Sequence, residues 1–135
     1  MENQLHTGIK GRIELTVTKE TCAGALGSGE LDVFATPAMI ALMEETAWKS
    51  VVPYLGPGEG TVGTALNVRH LAATPIGLQV VCETELTLVD HRRLLFDVKV
   101  YDPFGLVGEG THERFVIQHE KFMKKAYEKL GGADA

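Results

Sequence analysis

The sequence predicts an α+β domain in which an antiparallel sheet wraps one long helix. Three observations carry this. One stretch near the start has helical spacing and helix-start chemistry. Four strand-like stretches joined by short turns fill most of the rest, and successive strands joined this tightly must be antiparallel. The helix carries an apolar face that one such sheet would cover.

The elements follow in order. Ile13-Glu14-Leu15-Thr16-Val17-Thr18 alternates apolar and polar residues and reads as a strand. Thr21 to Asp32 is rich in glycine and small residues and reads as a loop. Pro37 to Val52 turns helical. Thr36 is the expected N-cap, its hydroxyl accepting from an orphan N–H of the first turn. Pro37 then takes the first helical position, where its missing N–H costs nothing. Ile40, Glu44, Ala47, Trp48 and Val51 fall on one face at three- and four-residue steps. Pro53 stops the helix, and Gly56-Pro57-Gly58-Glu59-Gly60 is a loop. Strands are expected over Thr61–Leu71, Leu78–Val89, Arg92–Tyr101 and Leu106–Gln118, with turns at Thr74–Gly77, Asp90–His91 and Asp102–Gly105. A short helix, Glu120 to Leu130, follows, and Gly131 to Ala135 reads as a frayed tail. Many folds satisfy this order; the hot-dog fold is one.

Composition narrows the class. The 135 residues suit one domain spanning 1–135. With 44% hydrophobic and 23% charged residues, disorder is excluded for the bulk of the chain. Thirteen basic against eighteen acidic residues leave a net charge of -5, without the basic footprint of a nucleic-acid binder. No apolar run approaches the ~18 residues of a membrane span. Met1 to Lys10 is polar and lacks the core of a signal peptide. Cys22 and Cys82 have neither zinc nor redox spacing, so a reducing, cytoplasmic setting is expected.

Two adjacent glutamates have different neighbours. Glu45 has Lys49 four residues on, a favourable surface pair. Glu44 projects from the face of Ile40, Ala47 and Trp48, where a carboxylate needs a partner or a role. The plainer alternative is a boundary glutamate whose head reaches solvent. His70 ends a strand on the parity of Val62, Thr64, Leu66 and Val68. It suits proton transfer, although a histidine there is more often a satisfied core or rim residue. Thr36 at a helix start sits among N–H groups that suit a carbonyl oxygen or an anion. Arg69, Arg92 and Arg93 read as strand-edge charge before phosphate contacts. His6, His91, His112 and His119 show no metal-ligand spacing, and no metal is expected. Gly108-Glu109-Gly110 marks a bulge or a close backbone approach.

Several segments together resemble the fluoroacetyl-CoA thioesterase family. They are Val33-Phe34-Ala35-Thr36, Leu42-Met43-Glu44, Pro53-Tyr54-Leu55, Pro57-Gly58-Glu59-Gly60 and Gly63-Thr64-Ala65. Further along come His70 with Ala72-Ala73-Thr74-Pro75, Arg92-Arg93-Leu94, Gly110-Thr111-His112-Glu113-Arg114 and Glu120-Lys121-Phe122. The likeness runs from about Val33 to Phe122. It implies a hot-dog fold, a homodimer with active sites at the interface, and hydrolysis of acyl-CoA thioesters without a cofactor, coenzyme A being part of the substrate. It implies Thr36, Glu44 and His70 as catalytic residues, and Gly63, Phe34 and Arg114 as substrate-binding ones. The loop Ala25-Leu26-Gly27-Ser28-Gly29-Glu30 departs from the family, whose fluoroacetyl-specific enzyme carries phenylalanines there as a lid. An ordinary short or medium acyl group is therefore expected.

In this reading Glu44 attacks the thioester or activates a water, Thr36 polarises or positions the carbonyl, and His70 assists proton transfer. Two other classes stay open. One is a hot-dog hydratase or dehydratase, for which no Asp-x-Asn-x-x-His-type motif is present. The other is a non-catalytic acyl-CoA-binding domain.

Overall fold

The alternating stretches become five strands: β1 (Lys10–Thr16), β2 (Glu59–His70), β3 (Gln79–Asp90), β4 (Arg93–Asp102) and β5 (Gly105–Gln118). The computed structural model describes residues 3–132. All pairings are antiparallel, in the order β1-β3-β4-β5-β2, so β1 and β2 are the edges. Among the described residues, three α-helices accompany the sheet: α1 (Ala23–Leu26), α2 (Thr36–Val51) and α3 (His119–Gly132). The α+β expectation holds.

The inner face of the sheet is the core. Val80, Cys82 and Leu86 of β3 and Leu94, Phe96, Val98 and Val100 of β4 are fully buried. Their alternates Glu83, Glu85, Asp97 and Lys99 face solvent. This is the period of two that a half-buried sheet demands. Helix α2 lies across this face, adding Met39, Leu42, Met43, Thr46, Ala47 and Val51 to the core. Among the described residues, no helix is long and apolar enough to cross a membrane.

Several expected details change. β1 starts earlier, pairing Lys10 with Glu85, and ends at Thr16. Val17 leaves the ladder, its N–H bonding the Leu78 carbonyl. The expected loop from Thr21 holds helix α1, which ends at left-handed Gly27 (φ 69°). Gly131 and Gly132 continue α3, whereas Ala133 to Ala135 of the expected tail, like Met1 and Glu2, lie outside the described residues.

The helix start differs in a way that matters below. Ala35, not Thr36, is the N-cap: it is extended (φ -78°, ψ 144°) and its carbonyl accepts from Met39 N–H. Thr36 is already helical and Pro37 follows in the first turn. The Thr36 hydroxyl makes no cap bond. The helix face also differs. The buried stripe runs through Met39, Met43 and Ala47. Ile40 and Glu44 sit on its half-buried flank, and Trp48 is 39% exposed. Glu45 pairs with Lys49 on the surface, as expected.

Gly11 on β1 lets the helix approach the sheet. A Cβ there would lie 2.7 Å from the Thr46 carbonyl oxygen, 2.7 Å from Thr84 Oγ1 and 2.8 Å from Ser50 Cβ. The Gly11→Val substitution is expected to destabilise the fold by about 1–3 kcal/mol, the usual range for overpacking, read as a lower urea midpoint. An unchanged midpoint would mean that β1 and α2 separate freely.

Candidate active site

Strand β2 and helix α2 position the candidate residues. β2 carries a bulge: Gly63 pairs with Arg114, yet the next pair is Ala65 with Glu113. Thr64 is the extra residue, and its hydroxyl turns to Glu113 Oε1 at 2.6 Å. The bulge shifts the side-chain parity. Thr61 and Gly63 face the helix before it; Leu66, Val68 and His70 share that face after it. Val62 and Thr64 therefore leave the row that simple alternation gave them with His70, while Gly63 joins it.

At one end, the hydroxyl that does not cap α2 meets His70. Thr36 Oγ1 is 2.8 Å from His70 Nδ1. Phe34 is buried and packs edge-on against that imidazole, with ring centroids 6.2 Å apart. Both residues border a cleft of about 310 Å³ whose other walls include Ala23, Ser28, Ala72 and Ala73. His70 Nε2 is buried and has no partner among the described residues. Burial pushes the His70 imidazole below its ordinary value, and the Ala72 backbone opposes this. A larger depression of about 440 Å³, on the outer sheet face, is walled by charged side chains such as Lys10, Glu83 and Lys99 and holds none of these residues.

At the other end, Arg114 is buried, with 5% of the residue exposed. Its Nε donates to Thr61 Oγ1 (2.8 Å) and its Nη2 to the Thr61 carbonyl (3.0 Å). Nη1 lies 3.0 Å from His112 Nε2 and 3.6 Å from Glu44 Oε2. Burial lowers the guanidinium from its ordinary value and Glu44 opposes that shift; an arginine keeps its charge regardless. A Cβ on Gly63 would stand 2.9 Å from Glu44 Oε2 and 3.1 Å from Arg114 Nη1. A side chain at Gly63 would have to push these carboxylate and guanidinium tips aside.

The six expected site residues thus form two groups: Thr36, His70 and Phe34, and Glu44, Arg114 and Gly63. Eight helical residues separate Thr36 from Glu44, a rise of about 12 Å. Among the described residues, no three of His, Cys, Asp and Glu are placed to hold a metal ion. Of the three arginines read as edge charge, Arg93 bonds Glu113 (2.6 Å), Arg69 faces Glu109 (3.6 Å) and Arg92 is exposed.

The profile of the fluoroacetyl-CoA-specific thioesterases matches residues 17–120. The chain belongs to this family. It is 49% identical over 98 residues to the fluoroacetyl-CoA thioesterase of Streptantibioticus cattleyicolor, covering 73% of this chain and 70% of that one. A crystal structure of a fluoroacetyl-CoA-specific thioesterase mutant matches at a TM-score of 0.88 and 38% identity, over 95% of this chain and 99% of that one. A hot-dog-like protein from Thermanaerovibrio acidaminovorans, 23% identical, matches at a TM-score of 0.85 over 93% of each chain. The fold is the hot-dog fold.

Sequence reasoning weighed His112 only as a metal ligand and as part of the motif that ends at Arg114, and gave it no place in the site. It is 1% exposed and touches Arg114. The available signal was its spacing: His112, Arg114 and Val116 share one face of β5, and two polar residues in an inward row call for partners.

Two outcomes follow from this geometry. Because Thr36 does not cap α2, Thr36→Ala forfeits no cap; it removes the bond to His70, worth about 0.5–1.5 kcal/mol. Denaturant titration should show that loss disappear in a His70→Phe background, whereas a lost cap would cost about 1 kcal/mol in either background. The second concerns pH. Burial holds both His70 and His112 below the ordinary 6.5. The unfolded chain then binds more protons in that window, so stability is full above 6.5 and falls as pH drops through the folded values. Unfolding free energy should be lower at about pH 5.5 than at about pH 7.5; equal values would show that neither imidazole is perturbed.

Proposed function

We propose that this acyl-CoA thioesterase hydrolyses a small, ordinary acyl-CoA to free acid and coenzyme A, working as a homodimer. The observation that carries this is the Thr36 hydroxyl, free of capping, 2.8 Å from the half-buried His70 imidazole at the mouth of a cleft. Burial favours the neutral imidazole, which has one accepting nitrogen. With the proton on Nε2, Nδ1 accepts from the hydroxyl and orients it. Thr36 and the N–H groups of the helix start then position and polarise the thioester carbonyl. Glu44, faced by the Arg114 guanidinium, attacks the carbonyl to form an acyl-enzyme anhydride, or takes a proton from the attacking water. In both routes water supplies the second oxygen of the acid. The thiolate of coenzyme A leaves and takes up a proton, for which His70 is the donor. Gly63 offers a backbone amide, and Phe34 and Arg114 border the substrate.

A dimer joins the two groups of residues. β2 is an edge strand whose run Thr64 to Asn67 is exposed, including Leu66. Exposed edges favour pairing with a twin. Antiparallel pairing centred on that run sets the Gly63 end of one copy beside the His70 end of the other. The half-exposed flank of α2, Ile40 to Trp48, lies along the same side. The small residues Ala23, Ser28, Ala72 and Ala73 around the cleft, and the absence of aromatics from Ala25 to Glu30, favour an acyl group larger than fluoroacetyl.

Free thiol release from a panel of acyl-CoAs tests the reading. Turnover should peak with short or medium chains and fall by about 100-fold or more in Glu44→Gln, as for a lost general base. Activity within a few-fold of the parent in that variant would sink both routes. Tight acyl-CoA binding without thiol release would favour the binding-domain alternative. The dimer is tested separately. Leu66→Arg should give a folded monomer by light scattering with little turnover; a fully active monomer would overturn the interface site.

A further inference from the structure

His112 sits two residues before Arg114 on β5, and both its ring nitrogens are engaged. Nδ1 is 2.9 Å from the Ala65 carbonyl oxygen. A carbonyl only accepts, so Nδ1 carries the proton. Nε2 is then left with a lone pair, and 3.0 Å away stands Arg114 Nη1, which only donates. Geometry alone selects the neutral tautomer protonated at Nδ1. The guanidinium is a planar fork, and its other contacts, from Nε and Nη2 to Thr61, hold one side of it. His112 holds the remaining arm, the one that faces Glu44 at 3.6 Å.

We infer that His112 is a positioning residue: its imidazole, locked by the Ala65 carbonyl, aims the Arg114 guanidinium at Glu44 and so sets the electrostatics of the reacting carboxylate. This rests on the reading of Glu44 given above. Protonation of His112 removes the acceptor and places a second cation against Arg114. The groups facing the ring are few. Arg114 comes from its own strand and Glu44 from α2. The neighbours in register on β4 and β2 are Phe96 and Leu66, both apolar. Glu113, next on β5, bonds Thr64 and Arg93 instead. Burial is the main cause that pushes the His112 imidazole below its ordinary value. The Ala65 backbone opposes it, Arg114 adds to it, and Glu44 and Glu113 oppose it weakly.

The test compares His112→Gln, whose amide can donate to Ala65 and accept from Arg114, with His112→Phe, which can do neither. In His112→Phe, kcat should fall by about 10- to 100-fold, the scale of a misplacement near 1 Å, with KM little changed. His112→Gln should recover to within a few-fold. It should also lose the part of the acid-side decline in kcat that His112 protonation causes, because an amide does not titrate there. Arg114 is followed directly through its guanidinium ¹⁵N–¹H resonances, which need no turnover. Separate Nη signals are expected in the parent and in His112→Gln, and averaged ones in His112→Phe. Separate signals in all three, or wild-type kcat in His112→Phe, would overturn the inference. Equal losses of kcat in both variants, with the parent's pH profile, would also overturn it and leave His112 as packing. A full response of the Arg114 signals alongside an active Glu44→Gln variant would overturn the carboxylate's role while leaving the aim of Arg114 intact.

Discussion

A guanidinium buried inside the sheet is the constraint around which the site is organised. Arg114 cannot shed its charge, and an unpaired cation out of water costs several kcal/mol. Every donor therefore needs a fixed partner. Thr61 takes two arms, His112 takes one, and Glu44 supplies the opposing charge at 3.6 Å. Glu44, Arg114 and His112 crowd the same side of Gly63, where a Cβ would meet Glu44 Oε2 at 2.9 Å and Arg114 Nη1 at 3.1 Å. The bulge at Thr64 belongs to the same solution. It turns Gly63 and Thr61 toward the helix without turning His70 away, so both ends of β2 serve one face.

Helix α2 divides its labour by stripe. Met39, Met43 and Ala47 anchor it in the core, while Ile40, Glu44 and Trp48 lie along a flank that the sheet leaves half open. A carboxylate in the first stripe would have to give up its charge; on the flank it keeps water on one side and a cation on the other. The first turn shows the same economy. Ala35 serves as the cap through its backbone, so the Thr36 side chain is released to His70.

Much of this was legible in the chain. Alternation from Ile13 to Thr18, strand-like stretches such as Arg92 to Tyr101 between short turns, and helical spacing from Pro37 to Val52 placed the sheet and the long helix within a few residues. Those signals are dense and reflect burial directly. Thr36, Glu44 and His70 stood out by local pattern, a resemblance in motif order added Phe34, Gly63 and Arg114, and the structure sorts the six into two groups that spacing alone did not reveal. Four features escaped for local reasons. A threonine before a proline looks like a cap whether or not the chain turns one residue earlier. A helix wheel drawn through Trp48 tilts the core stripe, because a large apolar residue on a flank weighs as much as one inside. The bulge resets parity at Thr64, and no glycine or proline at the bulged position announces it. His112 stayed unmarked because a lone histidine declares nothing until its neighbour two residues on is known to be buried.

The contacts that make the site join distant parts of the chain. Thr36 meets His70 across 34 residues, His112 meets Ala65 across 47, and Arg114 meets Thr61 across 53. Pairings of such separation are slow to form, since the loop must close before they contribute. During synthesis the helix and β2 emerge first and wait. Until β5 is complete, the carboxylate on α2 lacks the Arg114 cation and β2 lacks its neighbour in the sheet. The order of the strands in space, with β2 beside β5, makes the chemistry one of the last things the folding chain acquires.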